Sequence, residues 1–294
     1  MTITWINKCL ALVLFVVLNA SLAFAETNPP ESGAAVQPEQ TQRISAPQET
    51  AVELNKEYFT GYWTDTKNIL TAPARWDGAD WFTASAVLGT AVALFTVDEN
   101  IKTWVQEHKN NSTGRISDNA KKTGTLSVPA LAGLGLYGYI AKDGKAKKTF
   151  LLSLESFVVT GAFVQTLKRS TGRHRPFTGD SHDTWSGPRL SSKNERMSFP
   201  SGDASSAFAI ASVVASEYDN MIVPPLVYTA STLIALSRVH NNAHWSSDVF
   251  VGSAIGYFTG KAIVASHRGG DLQRVSFAPI IEGRERGVMV TYRF

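Results

Sequence analysis

Long apolar segments alternate with short polar breaks along most of the chain. The pattern predicts six helices rich in Ala, Leu, Val, Phe and Ile, after a shorter helical lead-in over residues 52–68. The six predicted helices cover residues 80–106, 126–141, 149–168, 203–217, 223–239 and 247–267. Turn-forming residues separate them, for example at 109–114 and 142–144. This order predicts an all-α fold, a six-helix antiparallel bundle.

The last predicted helix and the tail that follows it have patterns of their own. Gly252, Gly256 and Gly260 recur every four residues, a spacing that allows another helix to approach closely. Within residues 268–294, positions 275–281 and 288–294 read as two strands around a polar turn at 282–287, which predicts a small C-terminal β-hairpin. Its terminal aromatic residue is also typical of outer-membrane barrels, but a single hairpin cannot close a barrel. We therefore expect a hairpin that covers part of the domain.

The N-terminal segment has the order of an export signal. In residues 1–25, Lys8 precedes an apolar run, and small residues occupy positions 23 and 25, as in a secretory signal peptide. An uncleaved membrane anchor is the alternative. Residues 26–50 are rich in Pro, Gln, Glu and Ser, which predicts a disordered linker. The helical domain is then 51–267, and we expect it in the periplasm or cell envelope.

Composition and charge narrow the classes of function. The chain has 294 residues, of which 44% are hydrophobic and 18% are charged, enough apolar side chains for a sizeable core. A net charge of +3 without a long basic run gives no nucleic-acid footprint, so we expect no nucleic-acid partner. Cys9, the single cysteine, lies in the predicted signal peptide, which excludes disulfides and thiolate metal clusters.

Chemically informative residues are concentrated in three short motifs. They occupy residues 168–176 at the end of the third predicted helix, 199–203 before the fourth, and 237–248 between the fifth and sixth. In an antiparallel bundle, the end of one helix lies beside the start of the next. We therefore predict that all three motifs meet at one end of the bundle.

The motifs supply what a phosphate site needs. Lys168, Arg175 and Arg238 can hold a tetrahedral dianion, and the helix start at Ser201 and Gly202 offers free backbone N–H groups. Taken singly, each of these residues would be an ordinary helix-end cation or helix-start signal. Their shared position favours an anion site.

A nucleophile and its orienting group follow in the third motif. His244 and Asp248 are four residues apart, so they share one helix face, and a carboxylate there can set the tautomer of the imidazole. A histidine held beside a clamped phosphorus atom is positioned for nucleophilic attack. His174 and His240 lie outside this spacing, and we expect ordinary polar roles for them.

With these residues in place, the chain resembles the type 2 phosphatidic acid phosphatase and vanadium haloperoxidase superfamily. The resemblance covers about residues 80–265 and rests on Lys-x6-Arg-Pro, Pro-Ser-Gly and Ser-Arg-x5-His-x3-Asp. It implies a bundle of that type that hydrolyses a lipid phosphate or small phosphomonoester without a metal or other cofactor. The implied phosphate ligands are Lys168, Arg175, Ser201, Gly202 and Arg238. The resemblance also implies a phosphohistidine on His244, oriented by Asp248.

One position departs from the family pattern. The family has histidine after Pro-Ser-Gly, where it acts on the leaving group, and this chain has Asp203. We expect Asp203 to act as a substitute acid, which requires a raised pKa; the alternative is that it only caps the fourth helix. Two other readings stay open, a vanadate-dependent haloperoxidase and a non-catalytic phosphate-binding relative. Association with a membrane surface is compatible with the pattern.

A buried acid is predicted away from the motifs. Glu155 lies within the apolar third predicted helix. If its side chain is buried, the carboxyl group needs either a partner or a bound proton. The sequence does not identify that partner.

Overall fold

The computed structural model describes residues 56–188, 193–268, 275–282 and 285–292. These residues contain eight α-helices and one pair of β-strands. The helices are α1 (Lys56–Thr71), α2 (Gly78–Thr96), α3 (Asp98–Glu107), α4 (Asn111–Ile140), α5 (Gly144–Thr171), α6 (Gly202–Glu217), α7 (Val223–His240) and α8 (Ser246–His267). The strands are β1 (Val275–Glu282) and β2 (Glu285–Tyr292). The expected signal peptide, 1–25, and linker, 26–50, lie outside the described residues.

The first predicted helix of the bundle is two helices. A single helix over 80–106 is wrong, because the chain turns at Val97 and separates α2 from α3. Asp98, the first residue of α3, is buried, and its carboxylate accepts hydrogen bonds from the hydroxyl groups of Ser246 and Ser247. The turn thus brings a carboxylate to the start of α8, a contact between residues almost 150 positions apart.

The second predicted helix begins earlier than its apolar pattern. Asn110 accepts hydrogen bonds from the backbone N–H groups of Ser112 and Thr113, and the Thr113 hydroxyl accepts one from the N–H of Asn110. This capping box makes the polar residues predicted as a turn the first turn of a 30-residue helix, α4. The prediction of a helix over 126–141 therefore covers only its second half.

Helix α6 lies at the centre of the bundle, against α5, α7 and α8. The glycine stripe of α8 explains how closely α8 packs on it. A Cβ atom at Gly256 would collide with the carbonyl oxygen of Ser205, and one at Gly260 would lie 2.8 Å from that of Ala209. The close approach predicted from the glycine spacing is confirmed, and it holds the start of α8 against the start of α6.

The C-terminal strands pair antiparallel, from Val275 opposite Tyr292 to Glu282 opposite Glu285. Strand β2 begins three residues before the predicted start at 288. Charged residues expected in the turn, including Arg286, are therefore part of the ladder. In a strand, the backbone pairs whatever the side chain, so a polar pattern overestimates the length of the turn.

Three of the described helices are long and apolar enough to cross a membrane: α2, α5 and α8. They differ in how much of that apolar surface the protein covers, since 44% of the residues in the α5 window are buried but only 6% in the α2 window. Trp81, Phe82, Leu88 and Val92 of α2 are exposed. An exposed apolar helix of this kind indicates association with a membrane.

Candidate active site

The three motifs meet at one end of the bundle, where helices α5 and α7 end and α6 and α8 begin. Gly202, the first residue of α6, lies beside Lys168 in the last turn of α5. A Cβ atom added to the glycine would be 3.8 Å from the lysine Cε. The N–H of Ser201 donates to the carbonyl oxygen of Asp248 in the first turn of α8 (2.9 Å). The N–H of His244 donates to the carbonyl oxygen of Arg238 at the end of α7 (3.3 Å).

His244 is buried at the centre of this cluster. Its Nδ1 lies 3.8 Å from Oδ2 of Asp248, which is longer than a hydrogen bond, and within the described part of the chain Nδ1 has no hydrogen-bond partner. Burial lowers the pKa of His244 to about 4, and the charges of Lys168 and Arg175 act in the same direction. The imidazole is therefore neutral at pH 7, with a nitrogen lone pair available to attack an electrophile.

The carboxylate of Asp248 is held from both sides. Its Oδ1 accepts a hydrogen bond from Nη1 of Arg173 (2.6 Å), and its Oδ2 accepts from the Ser198 hydroxyl (2.5 Å) and the Trp245 N–H (3.0 Å). A fully buried carboxylate needs such partners to stay ionised. The hydrogen bonds hold it within reach of His244.

Arg173 and Asp98 are the residues that the sequence reasoning missed. Arg173 is fully buried, and its guanidinium bridges Asp248 to Asp98 of α3. Its Nη2 donates a hydrogen bond to Oδ2 of Asp98 (2.8 Å). The rings of Phe95 and Trp185 lie 4.8 Å and 5.0 Å from its Cζ atom. Arg173 lies inside the first motif, so a count of basic residues in that motif could have drawn attention to it. No local pattern indicated Asp98.

The three cations predicted to bind phosphate are crowded together. Burial lowers the pKa of Lys168 to about 7 and also lowers that of Arg175, and in each case a neighbouring guanidinium adds to the effect. Lys168 donates to the carbonyl oxygen of Met197 (2.6 Å), whereas Nε of Arg175 has no partner in the described ranges. A desolvated group of like charges with a spare donor favours binding of an anion, because the anion offsets the repulsion between the cations and favours the charged form of Lys168.

Further donors come from the start of α6. The first N–H groups of an α-helix have no acceptor within the helix, and the helix dipole favours a negative charge there. The hydroxyl of Ser201 is buried, and no described residue forms a hydrogen bond with it. The Ser201 hydroxyl and the Gly202 N–H therefore add donors beside Lys168. The Ser201 N–H, which the sequence predicts to be free, instead donates to Asp248.

Asp203 lies at the more exposed edge of the cluster. Its Oδ2 is 3.0 Å from Nε of Arg238, and 56% of its side chain is exposed. The residue that begins α6 as its N-cap is Ser201, so the alternative in which Asp203 caps the helix is wrong. Asp203 instead forms an ion pair with one of the predicted phosphate ligands, because its side chain reaches the end of α7.

Comparison with known proteins finds a family model and a curated relative that are similar to this part of the chain. Residues 149–269 match the family model of the PAP2 superfamily. Among curated proteins, the chain is similar to lipid A 1-phosphatase of Porphyromonas gingivalis, with 27% identity over 179 residues, 60% of this chain. The chain spans about a third of the length of that relative, since the match covers 36% of it.

Two crystal structures are also similar to this chain. The first is Aquifex aeolicus LpxE, with 21% identity and a TM-score of 0.44 over 56% of this chain and 93% of the other. The second is a transmembrane PAP2-type phosphatidylglycerolphosphate phosphatase from Bacillus subtilis, with 14% identity and a TM-score of 0.43 over 72% and 94%.

The family match agrees with the motifs on the same residues. Its first position lies in α5 before Lys168, and its last lies just beyond the end of α8. The resemblance read from the three motifs is confirmed over this segment. Residues 149–269, which contain every residue of the cluster from Lys168 to Asp248, are the part of the chain that matches the PAP2 superfamily model.

Proposed function

We propose that this protein is a phosphatase that hydrolyses phosphate monoesters through a phosphohistidine on His244. One observation carries the proposal: a buried, neutral imidazole lies beside three cations and the start of a helix, and this cluster contains hydrogen-bond donors that have no acceptor among the described residues. Such a cluster stabilises the charge of a phosphoryl group in transfer, which is most of what catalysis of this reaction requires. The charge comes from protein cations, so the mechanism needs no metal ion.

The reaction proceeds in two steps. Lys168, Arg175 and Arg238 hold the phosphate dianion, together with the N–H groups at the start of α6. Because Nδ1 of His244 faces Asp248, Nε2 attacks phosphorus while the P–O bond to the alcohol breaks. Water then attacks the phosphohistidine, which releases inorganic phosphate and restores the neutral imidazole.

Asp203 acts on the leaving group in this proposal. A phosphate dianion bound by Arg238 replaces the ion pair that Arg238 makes with Asp203 in the free protein. The carboxyl group is then released from Arg238 and lies beside the leaving group. Asp203 can give its proton to the departing alcohol and take one from the attacking water.

We propose that the substrate is a lipid phosphate and that the protein hydrolyses it at the outer face of a membrane. The name of the curated relative, a lipid A 1-phosphatase, supports a lipid phosphate. The exposed apolar surface of α2 supports a site of action at a membrane. The exported, periplasmic location follows from the expected signal peptide. Small soluble phosphoesters are the alternative substrate.

The test compares the full-length protein, purified in detergent, with His244→Ala. A short-chain phosphatidic acid and an aryl phosphate serve as substrates, with chelator present throughout. We expect turnover of the lipid phosphate that is lost by more than about 1,000-fold in His244→Ala, because the nucleophile is removed. His108→Ala, which changes an exposed histidine of a different helix end, is the matched control and should retain full activity.

Each outcome decides one part of the proposal. Equal loss in both variants would contradict a specific role for His244. Turnover of the aryl phosphate alone would replace the lipid by a soluble substrate. Phosphate binding without any turnover would favour a non-catalytic relative, for which the ion pair between Asp203 and Arg238 already gives a structural reason.

A further inference from the structure

A second cluster of chemically active side chains lies far from the phosphate cluster. Asp65 of α1, Glu155 of α5 and His267, the last residue of α8, converge in the bundle. Glu155 precedes Lys168 by thirteen residues on the same helix, which is about 20 Å along its axis. The cluster is therefore separate from the predicted active site. Asp65 and His267 are the partners of the buried Glu155 that the sequence could not identify.

The geometry is that of a small coordination site. Nε2 of His267 lies 3.1 Å from Oε2 of Glu155 and 3.3 Å from Oδ2 of Asp65. Four ligands at about 2.0 Å around a tetrahedral metal lie about 3.3 Å from one another. The two distances from His267 match this spacing, and the three ligand atoms all lie within 4.8 Å of one another, so binding would require little movement.

A buried oxygen atom points to a ligand. Glu155 is fully buried, and its Oε1 has no hydrogen-bond partner among the residues that the structure describes. Both carboxylates pair with the same imidazole, which carries at most one positive charge. One imidazole therefore cannot neutralise both buried carboxylates. A divalent cation would balance their negative charge, since buried charges are normally paired or bound to metal.

We propose that Asp65, Glu155 and His267 form a structural binding site for a divalent transition metal, with zinc as the best match. One imidazole nitrogen and two carboxylate oxygens are a donor set that zinc accepts, and a water molecule would complete the tetrahedron. The metal joins α1 to α5 and α8, so its effect is on stability. It takes no part in the proposed phosphatase reaction.

The experiment uses the full-length protein, stripped of metal by chelator and dialysed. Titration with zinc chloride should show one tightly bound equivalent and a higher unfolding temperature. Cobalt(II) should give the visible absorption of a four-coordinate site. His267→Ala and the nearly isosteric Glu155→Gln should weaken zinc binding by more than about 100-fold, because each removes a direct ligand. His240→Ala, at the end of α7, is the matched control and should bind normally.

The result that would overturn the site is equally specific. The proposal is wrong if folded wild-type protein binds no stoichiometric zinc, or if Glu155→Gln binds it as tightly as wild type. The cluster would then be an ion pair of a protonated imidazole with two carboxylates. Phosphatase activity in chelator is an independent readout, so failure of this site and failure of the proposed function are distinguishable.

Discussion

At the scale of single residues, the protonation state of His244 sets the pH range in which it can act. Its pKa falls from an ordinary value of about 6.5 to about 4, because burial disfavours the imidazolium. The neutral form therefore persists as the pH falls from 7 and is lost only near pH 4. We expect the acid limb of the kcat/KM profile near pH 4, after correction for ionisation of the substrate.

The measurement is kcat/KM for an aryl phosphate between pH 3.5 and 8. An acid limb near pH 6.5 that does not move with the pKa of the substrate would contradict a nucleophile kept neutral by burial. His108→Ala again serves as the control, since an exposed histidine should leave the profile unchanged.

Asp203 gives the second prediction at this scale. Asp203→Asn keeps the size of the side chain but removes the transferable proton. We expect kcat to fall by roughly 100- to 10,000-fold for an alkyl phosphate, whose alkoxide needs protonation, and far less for an activated aryl phosphate. The ratio of the two rates is the measurement.

A purely structural role for Asp203 predicts a different result. If Asp203 only positions Arg238, through the 3.0 Å ion pair between them, both substrates should change equally and mainly in KM. An equal change in kcat for both leaving groups would remove Asp203 from proton transfer.

At the scale of elements, the packing of α8 on α6 determines whether the site is assembled. Gly256→Ala introduces a Cβ atom that collides with the backbone oxygen of Ser205. The two helices would have to separate, and overpacking of this kind costs about 1–3 kcal/mol of unfolding free energy. Denaturant unfolding measures the change.

The matched control for this prediction is Gly133→Ala in α4. That glycine is exposed, and an added Cβ atom meets nothing within 4 Å. It should raise stability by up to about 1 kcal/mol, because alanine has the higher helix propensity. A Gly256→Ala protein as stable as this control would show that the glycine stripe is not needed for packing.

At the scale of the whole molecule, the exposed apolar surface of α2 determines how the protein meets a membrane. Replacing Trp81 and Phe82 by Gln removes two of its exposed aromatic side chains. We expect weaker binding to phospholipid vesicles in a flotation assay, because buried apolar area drives such binding. Trp63→Gln changes a tryptophan on α1 that is more exposed than Trp81, and this variant should float like the wild type.

The double variant Trp81→Gln with Phe82→Gln also tests whether vesicle binding is needed for hydrolysis of a lipid phosphate. Loss of vesicle binding in Trp81→Gln with Phe82→Gln should reduce hydrolysis of a lipid phosphate in vesicles and leave hydrolysis of an aryl phosphate intact. Vesicle binding that survives the double substitution would assign the membrane contact to another surface.

The sequence by itself determined the all-α class, the three motifs and the residues that could bind phosphate. These properties are local: helix periodicity, capping residues and motif spacing are encoded within a few turns of chain. For the same reason, the ends of α5 and α7 and the starts of α6 and α8 could be placed together from their order along the chain alone.

Only the tertiary structure decided the pairings between distant residues. Asp98, which follows the break in a predicted helix, forms an ion pair with Arg173. Asp203 forms one with Arg238, and Glu155 lies beside side chains of α1 and α8. Buried charges must find a partner wherever the fold supplies one, and that choice depends on which helices pack together. A pattern read along one segment contains no information about a partner that lies a hundred residues away.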